Sequence, residues 1–329
     1  MSHRLIASIC LAVLLAVSGG GCVLISGDFN PFGQRQQPLE ERAVSGSGDA
    51  KILLMDVSGV ISAEERQGAF GLRTAESTVA RLDAELEVAG DDDDVRAVIV
   101  RINSPGGTVT ASDIIYERLM RFKAERRVPV LVQMVDVAAS GGYYAALAAD
   151  EIIASPTTVT GSIGVIFTNV SVAGLMEKLG VRDQTVASGA MKDIGSPLRA
   201  MTPAERAVLQ ALIGDMQQRF VGLVRERRTG LSPEMTAQMV DGRVFSADQA
   251  LAGGLVDGIG YLDGTIARAR QRAGLREATV IRYRRPDEVG NGLYSRLGMP
   301  PAAVTEVNIL SVAAPLLPPG PQFLYLWAP

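Results

Sequence analysis

Apolar residues along this chain fall into short unbroken runs, and the segments between those runs carry them at every third or fourth position. KILLMDVSGVI, at 51–61, has the density of a strand buried on both faces. AESTVARLDAELEVAG, at 75–90, has helical spacing and runs into the acidic stretch DDDD at 91–94, which reads as a solvated loop. VRAVIVRIN at 95–103 is a second strand, ended by SPGG at 104–107, and SDIIYERLMRFKAE at 112–125 follows as an amphipathic helix. VPVLVQMVD at 128–136 is a third strand, leading through AASGG into the alanine-rich YYAALAAD. EIIASP at 151–156 is a fourth, followed by TVTGSIGVIF. Strand and helix in such short alternation predict parallel βαβ units and an α/β fold.

Beyond the segment ASGAMKDIGSP, residues 202–228 predict one long helix. Thr202 is its N-cap, Pro203 lies in the first turn and Glu205 completes a capping box. Residues 246–274 add two short helices around the strand-like GLVDGIG. The domain so defined runs over 51–286, with a polar tether at 26–50 before it. An apolar, proline-broken tail at 287–329 follows it. QFLYLWAP at the end of that tail is expected to pack on a neighbouring copy, rest at a membrane interface or occupy a substrate groove; the residues leave the choice open.

The first 25 residues follow a different rule. Arg4 precedes an uncharged apolar run at 5–17, and small residues then lead to Cys22, the order of an export signal. SGGGC resembles a bacterial lipobox with Cys22 as the lipidated residue, although Gly19 stands where such boxes usually carry leucine. Uncleaved, the stretch 5–25 is about long enough to span a bilayer. Either reading tethers the chain to a membrane with its body outside the cytoplasm, in a bacterial cell envelope; a plain cleaved signal with a free soluble product is the third reading.

Composition removes several chemistries. Hydrophobic residues make up 47% of the 329, ample for a core, and a net charge of -4 lacks the basic footprint of a nucleic-acid protein. Both cysteines, Cys10 and Cys22, and the one histidine, His3, lie in the export segment. The body therefore has no disulfide, no thiol nucleophile, no histidine-ligated metal and no Ser-His-Asp triad. A nucleophilic serine would need another base. Arginine stays protonated, which leaves Lys51, Lys123, Lys178 and Lys192.

Ser140, between a strand and a helix, is the serine to examine. Ser-Gly-Gly is ordinary turn chemistry, and a plain turn is the competing reading. NSPGG and AASGG end successive strands of a parallel sheet, however, and ligand crevices form along that edge. Gly107 and Gly141 can present bare backbone N–H groups there. Converging, two such donors make an oxyanion hole, each worth about 3 to 4 kcal/mol to acyl transfer. Among the lysines, Lys51 precedes the first strand, Lys123 sits on an arginine-rich helix face and Lys178 reads as an exposed helix-end charge. Lys192 has the less polar surroundings Gly189, Ala190, Met191 and Ile194. Deprotonating an ordinary lysine at pH 7 costs about 4.6 kcal/mol, so a lysine base requires burial. A salt bridge with Asp193 or Asp183 is the alternative role for Lys192.

NSPGGTVTASDIIYERL, AASGGYYAALAAD, TVTGSIGV and GRVFSADQALAGGLVD are similar, in order and spacing, to the signal peptide peptidase A family over roughly 50–285. The resemblance implies a ClpP/crotonase-like fold and a membrane-bound serine peptidase of the short, single-copy form. It implies a Ser/Lys dyad of Ser140 and Lys192, an oxyanion hole of Gly107 and Gly141, and Ser162 holding the lysine amine. It also implies a ring-shaped homo-oligomer, in some short members with sites assembled between neighbours. Substrates would be remnant signal peptides and other short apolar polypeptides, with no metal or organic cofactor. Val159, Ile163 and Val165 are candidates for an apolar pocket wall. Two other functions share parts of this pattern. A crotonase-type acyl-CoA enzyme would use the same fold, although CoA is cytoplasmic, and a silent membrane scaffold would keep the fold without the dyad.

Overall fold

The computed structural model describes residues 37–67, 74–286, 288, 292–295 and 323–327. Cys22 and the rest of the expected export segment lie outside the described residues. Its strands are β1 (Glu40–Ser47), β2 (Lys51–Ser58), β3 (Arg66–Gln67), β4 (Thr74–Ala75), β5 (Val95–Ser104), β6 (Gly106–Thr108) and β7 (Val130–Ala139), then β8 (Glu151–Ala154), β9 (Val159–Gly161), β10 (Ile166–Phe167), β11 (Val244–Ser246), β12 (Gly258–Ile259), β13 (Ala278–Arg284) and β14 (Phe323–Leu326). Its helices are α1 (Thr78–Gly90), α2 (Val109–Arg126), α3 (Gly141–Ala146), α4 (Ala173–Leu179), α5 (Pro203–Arg227), α6 (Pro233–Gln238), α7 (Ala247–Gly253) and α8 (Leu262–Arg272).

The main sheet runs β1-β13-β2-β5-β7-β8-β12, with β9 beside the end of β7 and β11 beside β9. Strands β13, β2, β5, β7, β8 and β12 are parallel, as the βαβ reading requires. Alternate side chains of the central strands enter different cores. Leu53, Met55, Val98, Val100, Val130 and Val132 join the larger cluster under α1, α2 and α3. Ile52, Leu54, Ile99 and Leu131 join a second cluster with Leu262 and Ala269 of α8. A sheet covered on both faces needs uninterrupted apolar strands, which explains runs such as KILLM.

Two boundaries differ from expectation. The polar segment at 26–50 is not a tether throughout, because Glu40–Ser47 forms β1, antiparallel to β13 with a bulge between Ala43 and Ser45. Its side chains are mostly exposed, and only Val44 packs on the second cluster, so no apolar run marked it. The tail likewise contributes a strand. Leu324 and Tyr325 of β14 are buried, and β14 forms a small separate sheet in the order β10-β14-β6. Among the described residues no helix is long and apolar enough to cross a membrane.

Candidate active site

The site is built where β7 turns into α3. Ser140 is the N-cap of α3 with φ 53 and ψ -116, a backbone that a residue with a β-carbon adopts only under constraint. Its amide donates to Gly161 O at 2.8 Å, and its carbonyl accepts from Tyr144 N at 2.8 Å. These two bonds clamp the turn between β9 and the first turn of α3. The side chain pays no part of that constraint back: Ser140 is 1% exposed, and its hydroxyl has no hydrogen-bond partner among the described residues.

The two glycine turns meet here. A β-carbon on Gly106, at φ +110, would stand 2.8 Å from Gly141 N, and one on Gly141 would stand 3.1 Å from Gly107 N and 2.3 Å from Ser112 Oγ. A β-carbon on Gly107 would fall 1.9 Å from Ile61 O. The amides of Gly107 and Gly141 therefore lie side by side in a space that excludes side chains, which is why both loops are written in glycine.

Ser162 follows Gly161 directly and also has positive φ, at 50. Its amide donates to Arg243 O at 2.8 Å, and the residue is 7% exposed. Ser140, Gly107, Gly141 and Ser162 are thus drawn to one sheet edge.

Lys192 lies elsewhere in character. It is exposed, in the turn-rich segment between α4 and α5, and its amide donates to Gly189 O at 3.1 Å. The salt bridges weighed for it do not form. Asp193 binds Arg199 at 2.8 Å, and Asp183 accepts from Thr185. Arg199 also pairs with the buried Glu205, whose carboxyl it holds well below the usual range, at about 2, helped by the Thr202 amide. This is the predicted capping box with an added arginine, and it fastens the Lys192 segment to the start of α5. Two of the other lysines are engaged, Lys51 with Glu41 and Asp92 and Lys123 with Asp150, while Lys178 lies in the last turn of α4.

Sequence reasoning missed the aromatic group behind the turn. Tyr144 stacks on Tyr325 at 5.2 Å between ring centres, and Phe220 of α5 touches both, at 4.9 and 4.8 Å. Tyr116 closes the edge at 5.8 Å from Tyr144. Burial and the Asp113 carboxylate at 2.6 Å push the Tyr144 phenol up, and burial pushes Tyr325 up to about 12. The doubled tyrosine after SGG was the available signal. Ile163, in contrast, is fully buried in the main core, so it does not face an open pocket.

Known proteins resemble this chain over most of its length. The Peptidase family S49 model matches residues 123–276, and the Clp protease model matches 63–160. A protein of Enterococcus faecium named for signal peptide peptidase SppA is 34% identical over 245 residues, covering 74% of this chain and 70% of that protein. Protease 4 of Salmonella typhi is 33% identical over 261 residues, covering 78% of this chain and 40% of that protein. Among solved structures, ClpP1 from Listeria monocytogenes gives a TM-score of 0.40 at 20% identity, covering 64% of this chain and 93% of that one. The fold is α/β of the ClpP/crotonase type, and the chain belongs to peptidase family S49, the signal peptide peptidase A family, as a serine-type peptidase.

Proposed function

We propose that this peptidase is anchored in a bacterial envelope by residues 1–25, as a lipoprotein through Cys22 or by a single span. Its substrates are remnant signal peptides and other short apolar polypeptides. Ser140 is the nucleophile. The observation that carries this reading is its backbone: a serine held at φ 53 beside the paired amides of Gly107 and Gly141. Constraint of this kind, without a hydrogen bond to reward it, concentrates where a group must be aimed.

The chemistry follows from the groups present. Lys192, neutral, takes the proton from Ser140 Oγ as that oxygen attacks a peptide carbonyl. The Gly107 and Gly141 amides receive the oxyanion, Ser162 holds the lysine amine, and Lys192 then protonates the leaving amine. Water releases the acyl group from Ser140. Among the described residues of one chain Lys192 is exposed and Ser140 Oγ has no hydrogen-bond partner. We therefore assign the base to a neighbouring copy in a homo-oligomer, where docking supplies the burial that lowers a lysine's pKa.

The test is hydrolysis of an apolar fluorogenic peptide by the detergent-solubilised full chain. Ser140→Ala and Lys192→Ala are each expected to lose at least about a thousandfold in kcat, as removal of a nucleophile or its base does. Mixing the two inactive variants should restore part of the activity, because mixed oligomers pair an intact serine with an intact lysine. Full activity in Lys192→Ala would sink the base assignment, and no recovery on mixing assembled variants would sink its delivery by a neighbour.

A further inference from the structure

Strand β7 reaches Ser140 by way of a bulge, and the bulge lies where the serine turn and the glycine turn are tied together. Between the pairs Ile102–Met134 and Ser104–Ala138, β5 advances by two residues and β7 by four. Before that point β7 pairs with β8, as far as Met134 opposite Ala154. After it β7 pairs with β9, from Val137 opposite Val159 onward. The change of partner brings Gly161 O within 2.8 Å of Ser140 N. A bulge bends its strand and re-aims whatever follows, and its extra residues lose their ladder partners.

Side chains from both flanks take up the groups so freed. On the β9 side, Thr158 Oγ1 donates to Val135 O at 2.5 Å and Thr160 Oγ1 donates to Ala138 O at 2.6 Å, both residues being buried. On the β5 side, Asn103 Oδ1 accepts from Val137 N at 3.2 Å, and Asn103 Nδ2 donates to Asp136 Oδ2 at 2.9 Å. The Asn103 carbonyl accepts from Gly59 N at 3.0 Å, which keeps its backbone in register with β2. The next residue, Ser104, serves the other turn. Its hydroxyl accepts from Gly106 N at 3.1 Å and donates to Gly59 O at 2.6 Å. Two adjacent side chains therefore hold the approach to Ser140 and the approach to Gly107.

We propose that Asn103 is a positioning residue for peptide hydrolysis: by fastening Asp136 and Val137 to the strand that leads into Gly106 and Gly107, it sets the place of Ser140 against the oxyanion amides. The inference rests on the reading of Ser140 as nucleophile and of Gly107 and Gly141 as donors. The amide side chain suits the task because it offers an acceptor to the bulge N–H and a donor to the carboxylate at once. An aspartate there would have acceptors only and would face Asp136 with like charge, and an alanine would offer neither group. Asn103 is half-buried and Asp136 is exposed, so the contact steadies a turn and contributes little to the core. Misplacing a reacting group by about 1 Å costs roughly a hundredfold in rate. A slack bulge is therefore read in the chemical step and not in peptide binding.

The experiment uses the detergent-solubilised full chain and the apolar fluorogenic peptide. Thermal melting shows folding, and titration with a fluorophosphonate counts the competent sites. Asn103→Asp sets two carboxylates against each other and should lower kcat per titrated site at least about tenfold, with KM within about twofold of wild type. The exchanged pair, Asn103→Asp with Asp136→Asn, restores a donor facing an acceptor and keeps an acceptor for Val137 N–H. It should recover kcat to within about threefold of wild type. A residue with a structural role alone would shift melting and the number of titrated sites while kcat per site stayed at the wild-type value, and that result overturns the proposal. An exchanged pair no faster than Asn103→Asp also overturns it. Should Asn103→Asp not fold, Asn103→Ala carries the same expectation for kcat and KM. Hydrolysis that survives in Ser140→Ala would sink the nucleophile, while kcat across the exchanged pair still decides the role of Asn103. The two readings therefore fail separately.

Discussion

At Ser140 the backbone and the side chain make opposite demands. Positive φ with extended ψ disfavours any residue carrying a β-carbon by about 1 to 3 kcal/mol, and only glycine escapes it. The hydroxyl offers no hydrogen bond in return. Ser140→Gly should therefore abolish hydrolysis yet raise the free energy of unfolding by about 1 kcal/mol, the strain relieved exceeding glycine's extra chain entropy. Ser140→Ala, which keeps the β-carbon, should not share that gain; urea denaturation of both variants measures the difference. An unchanged or lower midpoint for Ser140→Gly would show that the turn is not strained. The sequence made this residue visible because Gly141 and Gly142 follow it where an apolar strand runs into an alanine-rich helix. It could not show the aromatic cluster behind it, since Tyr116, Tyr144, Phe220 and Tyr325 come from four separate elements.

Among elements, the parallel strands were the most legible part of the chain, because burial on both faces writes them as unbroken apolar runs. β1 and β14 were not, for opposite reasons: β1 is an exposed edge with little apolar signal, and β14 is an apolar stretch whose partners lie more than 150 residues away in sequence. The same limit hid the ion cluster across β2, β5 and β13. Asp56 accepts from Arg101 at 2.7 and 2.9 Å and pairs with Arg282, all three side chains being less than a tenth exposed. Asp56→Asn keeps the shape but leaves two buried guanidinium groups without their counter-charge. It should lower stability by about 3 to 5 kcal/mol, read as an earlier urea midpoint; a midpoint within error of wild type would refute the cluster's structural role.

For the whole molecule, acid is the sharpest probe of how the Lys192 segment is held. Glu205 titrates at about 2 in the folded chain, below the 4.5 of an ordinary glutamate, through Arg199 and the Thr202 amide. Its contribution is present above that ordinary value and is lost as pH falls from about 4.5 through about 2. Melting temperature should therefore decline across that window, and Arg199→Gln should flatten the decline; parallel curves for the two proteins would count against the anchor. A different consequence follows from where the chain leaves the small sheet. Leu326 and Trp327 run alongside Pro105 and Gly106, so whatever is joined after them starts beside the glycine turn before β6. A fluorescent reporter fused there would hang beside Gly106 and Gly107 and report, by its mobility, whether β14 stays paired with β6.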